Sequence, residues 1–146
     1  MKLRSISTVL FTLGFLSLSA LQAADKSEAS TSSHLGTWRL LSTKYGEATE
    51  FTNYPDTSKR LKLITATHFT WVEVENANKM VRSSAGGTYT FNSGEYTETI
   101  EFAGEGMEAF LGKPQKFTIR IDGDTLHQSG QLSNGLKIEE KWTRIK

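Results

Sequence analysis

No cysteine occurs among the 146 residues of this chain, so no disulfide can brace it and no lipobox can carry a lipid anchor. A small domain without cross-links must rely on hydrogen-bonded closure and an apolar core. A closed barrel supplies both, because it leaves no unpaired strand edge. Charge of one sign is not in excess either: 17 Lys and Arg stand against 16 Asp and Glu, scattered without a basic stripe. This argues against nucleic acid and anionic membrane surfaces as partners. No phosphate loop, dinucleotide fingerprint or Gly-x-Ser-x-Gly elbow is present, and no pair of carboxylates sits in a recognisable catalytic frame. His68 and His127 lack a third nitrogen or sulfur ligand and fall on the expected outer faces, so no metal and no other cofactor is expected. His127 and Ser129 share a face, but read as an accidental pair on a polar strand. The case for an enzyme is thin.

The one long apolar run lies at the N-terminus. Lys2 and Arg4 precede it, residues 6–21 are apolar apart from Ser, Thr, Gly and Ala, and Ala23-Ala24 follows. This is the pattern of a signal peptide over residues 1–23, with cleavage after Ala23 or Ala24. The run is too short and too rich in Ser and Thr to span a bilayer, and no stop-transfer pattern follows it. Removal of Lys2 and Arg4 from the 17 basic residues leaves 15 against 16 acidic, a formal net charge of −1. The expectation is an exported protein, periplasmic or secreted, with no lipid anchor and no stable membrane insertion. Residues 24–34 are polar and small, and read as a flexible tail in which His34 is solvated. Residues 35–146 are of a length for one domain.

That domain reads as short alternating segments separated by turn residues. Strands are expected at 37–45, 60–65, 67–74, 88–91, 95–102, 117–122, 125–131 and 136–145. The long exit loop 46–58 carries a Pro55-Asp56 turn, and 75–80 reads as a loop or a single helical turn. Gly86-Gly87 marks a bulge or tight bend, while Asp122-Gly123 and Asn134-Gly135 mark hairpins. Loop 103–114 is long, glycine-rich and unusually apolar around Met107, Phe110 and Leu111. The fold class is therefore all-β, an eight-stranded antiparallel up-and-down β-barrel, with an interior wide enough for side chains or one small ligand.

Gly36-Thr37-Trp38 opens the first strand, and Arg144 stands near the end of the last. With these residues in these places, the chain resembles the lipocalin and fatty-acid-binding-protein group, the calycins. The stretch GTWRLLSTKYG looks like the first strand of fatty-acid-binding proteins, and the whole domain is similar to small bacterial lipocalin-like domains. The resemblance implies that Gly36, Trp38 and Arg144 form a structural plug, with Trp38 closing one end and Arg144 stacked across its ring. Some family features are missing. Loop 46–58 is too short for a two-helix lid, and the paired C-terminal Arg and Tyr that hold a ligand carboxylate are not both present. The disulfide and C-terminal helix of larger lipocalins are missing too. The barrel and its plug carry over; fatty-acid binding does not.

If Trp38 and Trp142 point inward, strand parity places Leu136, Ile138, Glu140 and Arg144 inside as well. On the other strands the aromatic faces should be the inner ones. The cavity candidates are Phe69, Trp71, Tyr89, Phe91, Tyr96, Glu98, Ile100, Phe117, Ile119, Gln128, Ile138 and Glu140, with Glu73, Phe102, Ile121 and Leu126 on the same faces. Carboxylates on an apolar face need partners. Either they read the head group of an amphipathic ligand, or Glu98 or Glu140 pairs with Arg144, or both sit in water at the rim. Tyr45, Phe51 and Tyr54, with Met107, Phe110 and Leu111, either rim one mouth as a lid or staple long loops to the body. The leading expectation is a carrier of a small apolar or amphipathic molecule. One rival is a filled barrel acting through its outer surface as an interaction or inhibitory module in the cell envelope. Another is a barrel enzyme using Glu98, Glu140 and Tyr96.

Overall fold

The computed structural model describes residues 34–146, so the expected signal peptide at 1–23 and the tail at 24–33 lie outside the described residues. The strands are β1 (Gly36–Tyr45), β2 (Thr52–Asn53), β3 (Ser58–Ile64), β4 (His68–Glu75), β5 (Val81–Asn92), β6 (Glu95–Ala103), β7 (Pro114–Asp122), β8 (Thr125–Gln131) and β9 (Lys137–Ile145). All pairings are antiparallel, and β1, β3, β4, β5, β6, β7, β8 and β9 form a ring closed by β9 on β1. The eight-stranded barrel expected from the alternation is therefore present. The exit loop of β1 holds one addition, since β2 pairs Thr52 and Asn53 with Thr43 and Ser42 along the part of β1 that β3 does not reach. The strand expected at 88–91 is longer, and begins at Val81. Its first half carries polar residues on both faces, with a register shift between Glu73 and Val74, so no clean alternation announces it.

Two further register shifts decide which side chains face inward. In β1 the shift lies between Leu40 and Ser42 opposite β9, leaving Leu41 as the extra residue. Beyond it the faces exchange, so Tyr45 lies opposite the inward Ile138. In β6, Phe102 pairs with Gly86 and Ile100 with Gly87, leaving Glu101 unpaired. The bulge expected at Gly86-Gly87 is there, but it turns Phe102 outward. That ring is 51% exposed and covers Gly86, where a Cβ would lie 2.2 Å from it. The inner-face expectation for Phe102 is corrected accordingly.

The β1 start, the β9 end and the turns at 65–67, 93–94 and 123–124 lie at one end of the barrel, which is packed shut. Trp38 is fully buried there, with the Arg144 guanidinium 4.1 Å above its ring. Its Nε1 donates to the His34 carbonyl at 2.9 Å, and Arg144 Nη1 donates to the Leu35 carbonyl at 2.7 Å. These bonds draw residues 34–35 across the barrel end. His34, expected in solvent, is instead buried, its ring 4.2 Å from that of Phe91. The Tyr89 hydroxyl donates its proton to the Thr65 carbonyl at 2.6 Å, so at 3.1 Å it accepts from His34 Nε2. At His34 alone, a latch formed by distant residues overrides the solvated position expected from the polar composition.

The plug also explains Gly36. Its φ is +131°, and a Cβ there would lie 2.7 Å from Arg144 Nη1. Gly36→Ala is expected to cost about 1–3 kcal/mol, through backbone strain and displacement of the arginine. Thermal unfolding would show this as a clear loss of Tm, and an unchanged Tm would mean that Arg144 moves aside freely.

Candidate functional site

The opposite half of the barrel is not filled. It holds a cavity of about 270 Å³, whose walls include Trp71 on β4, Ile100 on β6, Phe117 on β7, and Ile138 and Trp142 on β9. At the mouth, Met107 and Phe110 close over it from loop 104–113, which contains a single 3-10 turn, Glu108–Phe110. Leu132 and Leu136 face them from the β8–β9 turn. That turn is held by Gln115, which accepts from the Ser133 amide at 2.8 Å and donates to Ser133 Oγ at 3.0 Å.

The polar side of the cavity comes largely from β3, whose sequence SKRLKLI is inverted with respect to hydropathy. Ser58, Arg60, Lys62 and Ile64 point inward, while Leu63 is 40% exposed on the outside. Lys62 is only 2% exposed and donates from Nζ to Glu98 Oε1 and to Gln128 Oε1, each at 2.7 Å. The rings of Trp142, Tyr96 and Phe69 surround the ammonium at 5.4, 5.7 and 5.8 Å. A buried lysine survives in such a place because carboxylate, amide and ring faces replace its hydration. Burial pushes the Glu98 carboxyl above the usual carboxylate range, even against the opposing pull of Lys62. Burial, then the nearby Glu98 charge, likewise holds the Tyr96 hydroxyl protonated.

A second cluster lies nearer the mouth. Arg60 is paired with Glu73 at 2.5 Å, and its guanidinium stacks over Trp71 at 4.8 Å and near Tyr54 at 5.6 Å. Burial would raise the Glu73 pKa, but the hydrogen bonds from Arg60 and Tyr54 and the charge of Arg60 together outweigh it and hold the carboxyl below the ordinary range. Glu140 accepts the Tyr45 hydroxyl on Oε1 and Trp142 Nε1, at 3.1 Å, on Oε2. Burial and then the Glu140 charge push the Tyr45 phenol up, so it stays a proton donor. Arg60 approaches Glu140 only to 3.9 Å.

Seen from the sequence, Trp71, Glu98, Ile100, Phe117, Gln128, Ile138 and Glu140 do come together around the cavity. Phe69, Tyr96 and Ile119 lie outside its lining, in the packed core, and Tyr89 and Phe91 stand beside His34 at the plug. Glu98 and Glu140 neither meet Arg144 nor sit in water: both are buried, and Arg144 is at the far end. Of the expected rim, Tyr45, Met107 and Phe110 line the cavity, and Tyr54 stacks beside Arg60. Phe51 lies on the outer side against Lys141 and Lys44, and Leu111 is exposed. Leu136, expected on an inner strand face, precedes β9 and is partly exposed at the mouth. Arg60 and Lys62 were not among the expected site residues. Their signal was indirect: inward carboxylates require cations, and these two basic residues stand two apart on one strand.

Among the described residues no group of three His, Cys, Asp or Glu side chains is placed to hold a metal ion, and no helix is long and apolar enough to cross a membrane. No family model and no curated protein matches the chain. Solved structures do. A lipocalin-like protein from Bacteroides uniformis superposes with a TM-score of 0.56 at 9% identity, over 76% of this chain and 97% of that one. An uncharacterized protein from Bacteroides eggerthii superposes with a TM-score of 0.53 at 11% identity, over 76% of this chain and 98% of that one. At such identities the likeness is one of fold: this chain is a lipocalin-like β-barrel.

Proposed function

We propose that this protein is an exported carrier that holds one small, compact amphipathic molecule in the open half of its barrel. The observation that carries the reading is the cavity of about 270 Å³, with aromatic and aliphatic walls and a polar cluster at one side. That is just below the span of about 300–1,000 Å³ typical of small-molecule sites, which favours a compact ligand over an extended acyl chain. Export rests on the N-terminal pattern of Lys2, Arg4, the apolar run and Ala23-Ala24. The carboxylates are committed to hydrogen bonds with Lys62, Tyr45 and Trp142, an arrangement that favours orienting a ligand over transferring protons. Action through the outer surface alone is the weaker reading, because it leaves the cavity without a purpose.

Native mass spectrometry of protein purified from its own envelope is expected to reveal a retained small molecule. Trp71 and Trp142 both line the cavity, so stripping and re-adding it should change the intrinsic fluorescence. Leu136→Trp, at the partly exposed mouth, is expected to weaken rebinding about tenfold or more with little change in Tm. A bare protein whose fluorescence answers to no apolar probe would refute the carrier reading.

A further inference from the structure

The charges around the cavity are unevenly matched. Two cations, Arg60 and Lys62, face three carboxylates, Glu73, Glu98 and Glu140. Each cation makes its shortest pairing away from Glu140, Arg60 Nη2 on Glu73 at 2.5 Å and Lys62 on Glu98 at 2.7 Å, while Arg60 Nη1 donates to the Tyr45 hydroxyl at 3.4 Å. Glu140 is left with neutral donors, the Tyr45 hydroxyl and Trp142 Nε1, and with Arg60 no closer than 3.9 Å. It is 5% exposed, and lines the cavity between aromatic side chains. A buried carboxylate with no close cation of its own is costly unless something supplies one. A carboxylate ligand would worsen the imbalance. Should Glu98 take up a proton, two cations face two carboxylates, so the set becomes neutral and carries no net positive charge for a carboxylate ligand.

We propose that the cavity selects a compact organic cation, an aromatic or alkyl amine, whose ammonium group is held by Glu140 and the rings beside it while its apolar body lies toward Ile100, Phe117 and Phe110. The ammonium donates to the remaining lone pairs of Glu140, in a cavity whose walls include Trp71 and Trp142. This rests on the cavity being the binding site, and extends that reading from a place to a chemistry.

Three probes of nearly the same shape test it on the purified protein, by calorimetry and tryptophan fluorescence: benzylamine, benzyl alcohol and benzoate. Benzylamine is expected to bind about tenfold or more tightly than the alcohol, and benzoate more weakly than either. Glu140→Gln should bring the amine close to the alcohol while leaving the alcohol nearly unchanged. Should that variant not fold, the three-probe ranking on the unaltered protein decides alone. Benzoate binding as well as benzylamine, or the alcohol as well as the amine, would overturn the proposal. If none of the three binds but the compact neutral probe toluene does, the cation selection is wrong and the cavity reading stands. If toluene fails too, both fall.

Discussion

Lys62→Met is expected to lower the free energy of unfolding by about 3–5 kcal/mol, the size typical of leaving one member of a buried ion pair alone. Methionine nearly matches lysine in length and bulk, so little cavity opens and the loss reports charge. Glu98 would keep its burial but lose the ammonium at 2.7 Å, and Gln128 would lose the same donor. The double variant K62M/E98L is expected to recover most of the loss, because it removes both desolvated charges together. Urea unfolding at equilibrium measures both. A single-variant loss below about 1 kcal/mol would mean that the pair is not a structural keystone.

The same variant carries a pH signature. The Glu98 carboxyl has its folded pKa raised by burial, with Lys62 pulling the other way. A group with a raised folded pKa binds its proton more tightly in the folded state. Its contribution to stability is therefore full below the unfolded carboxylate pKa of about 4.3, and is lost as pH rises through the folded value. Removing Lys62 takes away the lowering influence and moves the folded pKa further up. The deficit of K62M against the unaltered protein should thus narrow in mild acid and widen toward neutral pH. A deficit that grows in acid would contradict the assignment.

Trp38→Ala should be comparably damaging, at about 3–5 kcal/mol for a fully buried tryptophan. The loss has three physical sources: the void left by the ring, the stacking surface of Arg144 at 4.1 Å, and the donor that holds His34 at 2.9 Å. Trp38→Phe keeps part of the packing and the stack but not the donor, so it is expected to lose less. Amide exchange distinguishes these contributions. In both variants residues 34–35 should lose protection, since the Nε1 bond is gone in each, whereas wider fraying of β1 and β9 should appear only with alanine. Full protection at 34–35 in Trp38→Phe would mean that the Arg144–Leu35 bond and the contacts of His34 with Tyr89 and Phe91 hold the latch without Trp38.

Much of the fold was legible because a strand has a period of two. The clean alternations in 95–102, 117–122 and 125–131, with Asp122-Gly123 between two of them, placed β6, β7 and β8 within a few residues. The inward faces of those strands followed wherever the register ran unbroken, which is why parity, once the aromatic faces and Trp142 were taken as inward, placed Glu98, Phe117, Gln128, Ile138 and Glu140 on the inside. Gly36, Trp38 and Arg144 were found by resemblance, and the stacking geometry now supplies their reason.

What parity could not supply was anything that depends on a partner strand. A bulge inverts every side chain beyond it, and whether a bulge forms is decided by the register of the neighbour. That is how Phe102 came to face outward and Tyr45 inward. On β3 the apolar rule itself pointed the wrong way. Leu61 and Leu63 face outward and Lys62 inward, because the interior charge of Glu98 across the barrel outweighs the cost of burying an amine only once both are brought within 2.7 Å. His34 joined the core for the same kind of reason, through bonds to residues that closure of the barrel brought near. The sequence by itself determined most of the strands and the barrel, since these follow from local periodicity and the pairing of neighbours, while the plug was legible through the family resemblance. Only the tertiary structure decided the polar heart of the cavity, because a buried charge is stable solely in the company of its partner, and that partner lies on a distant strand.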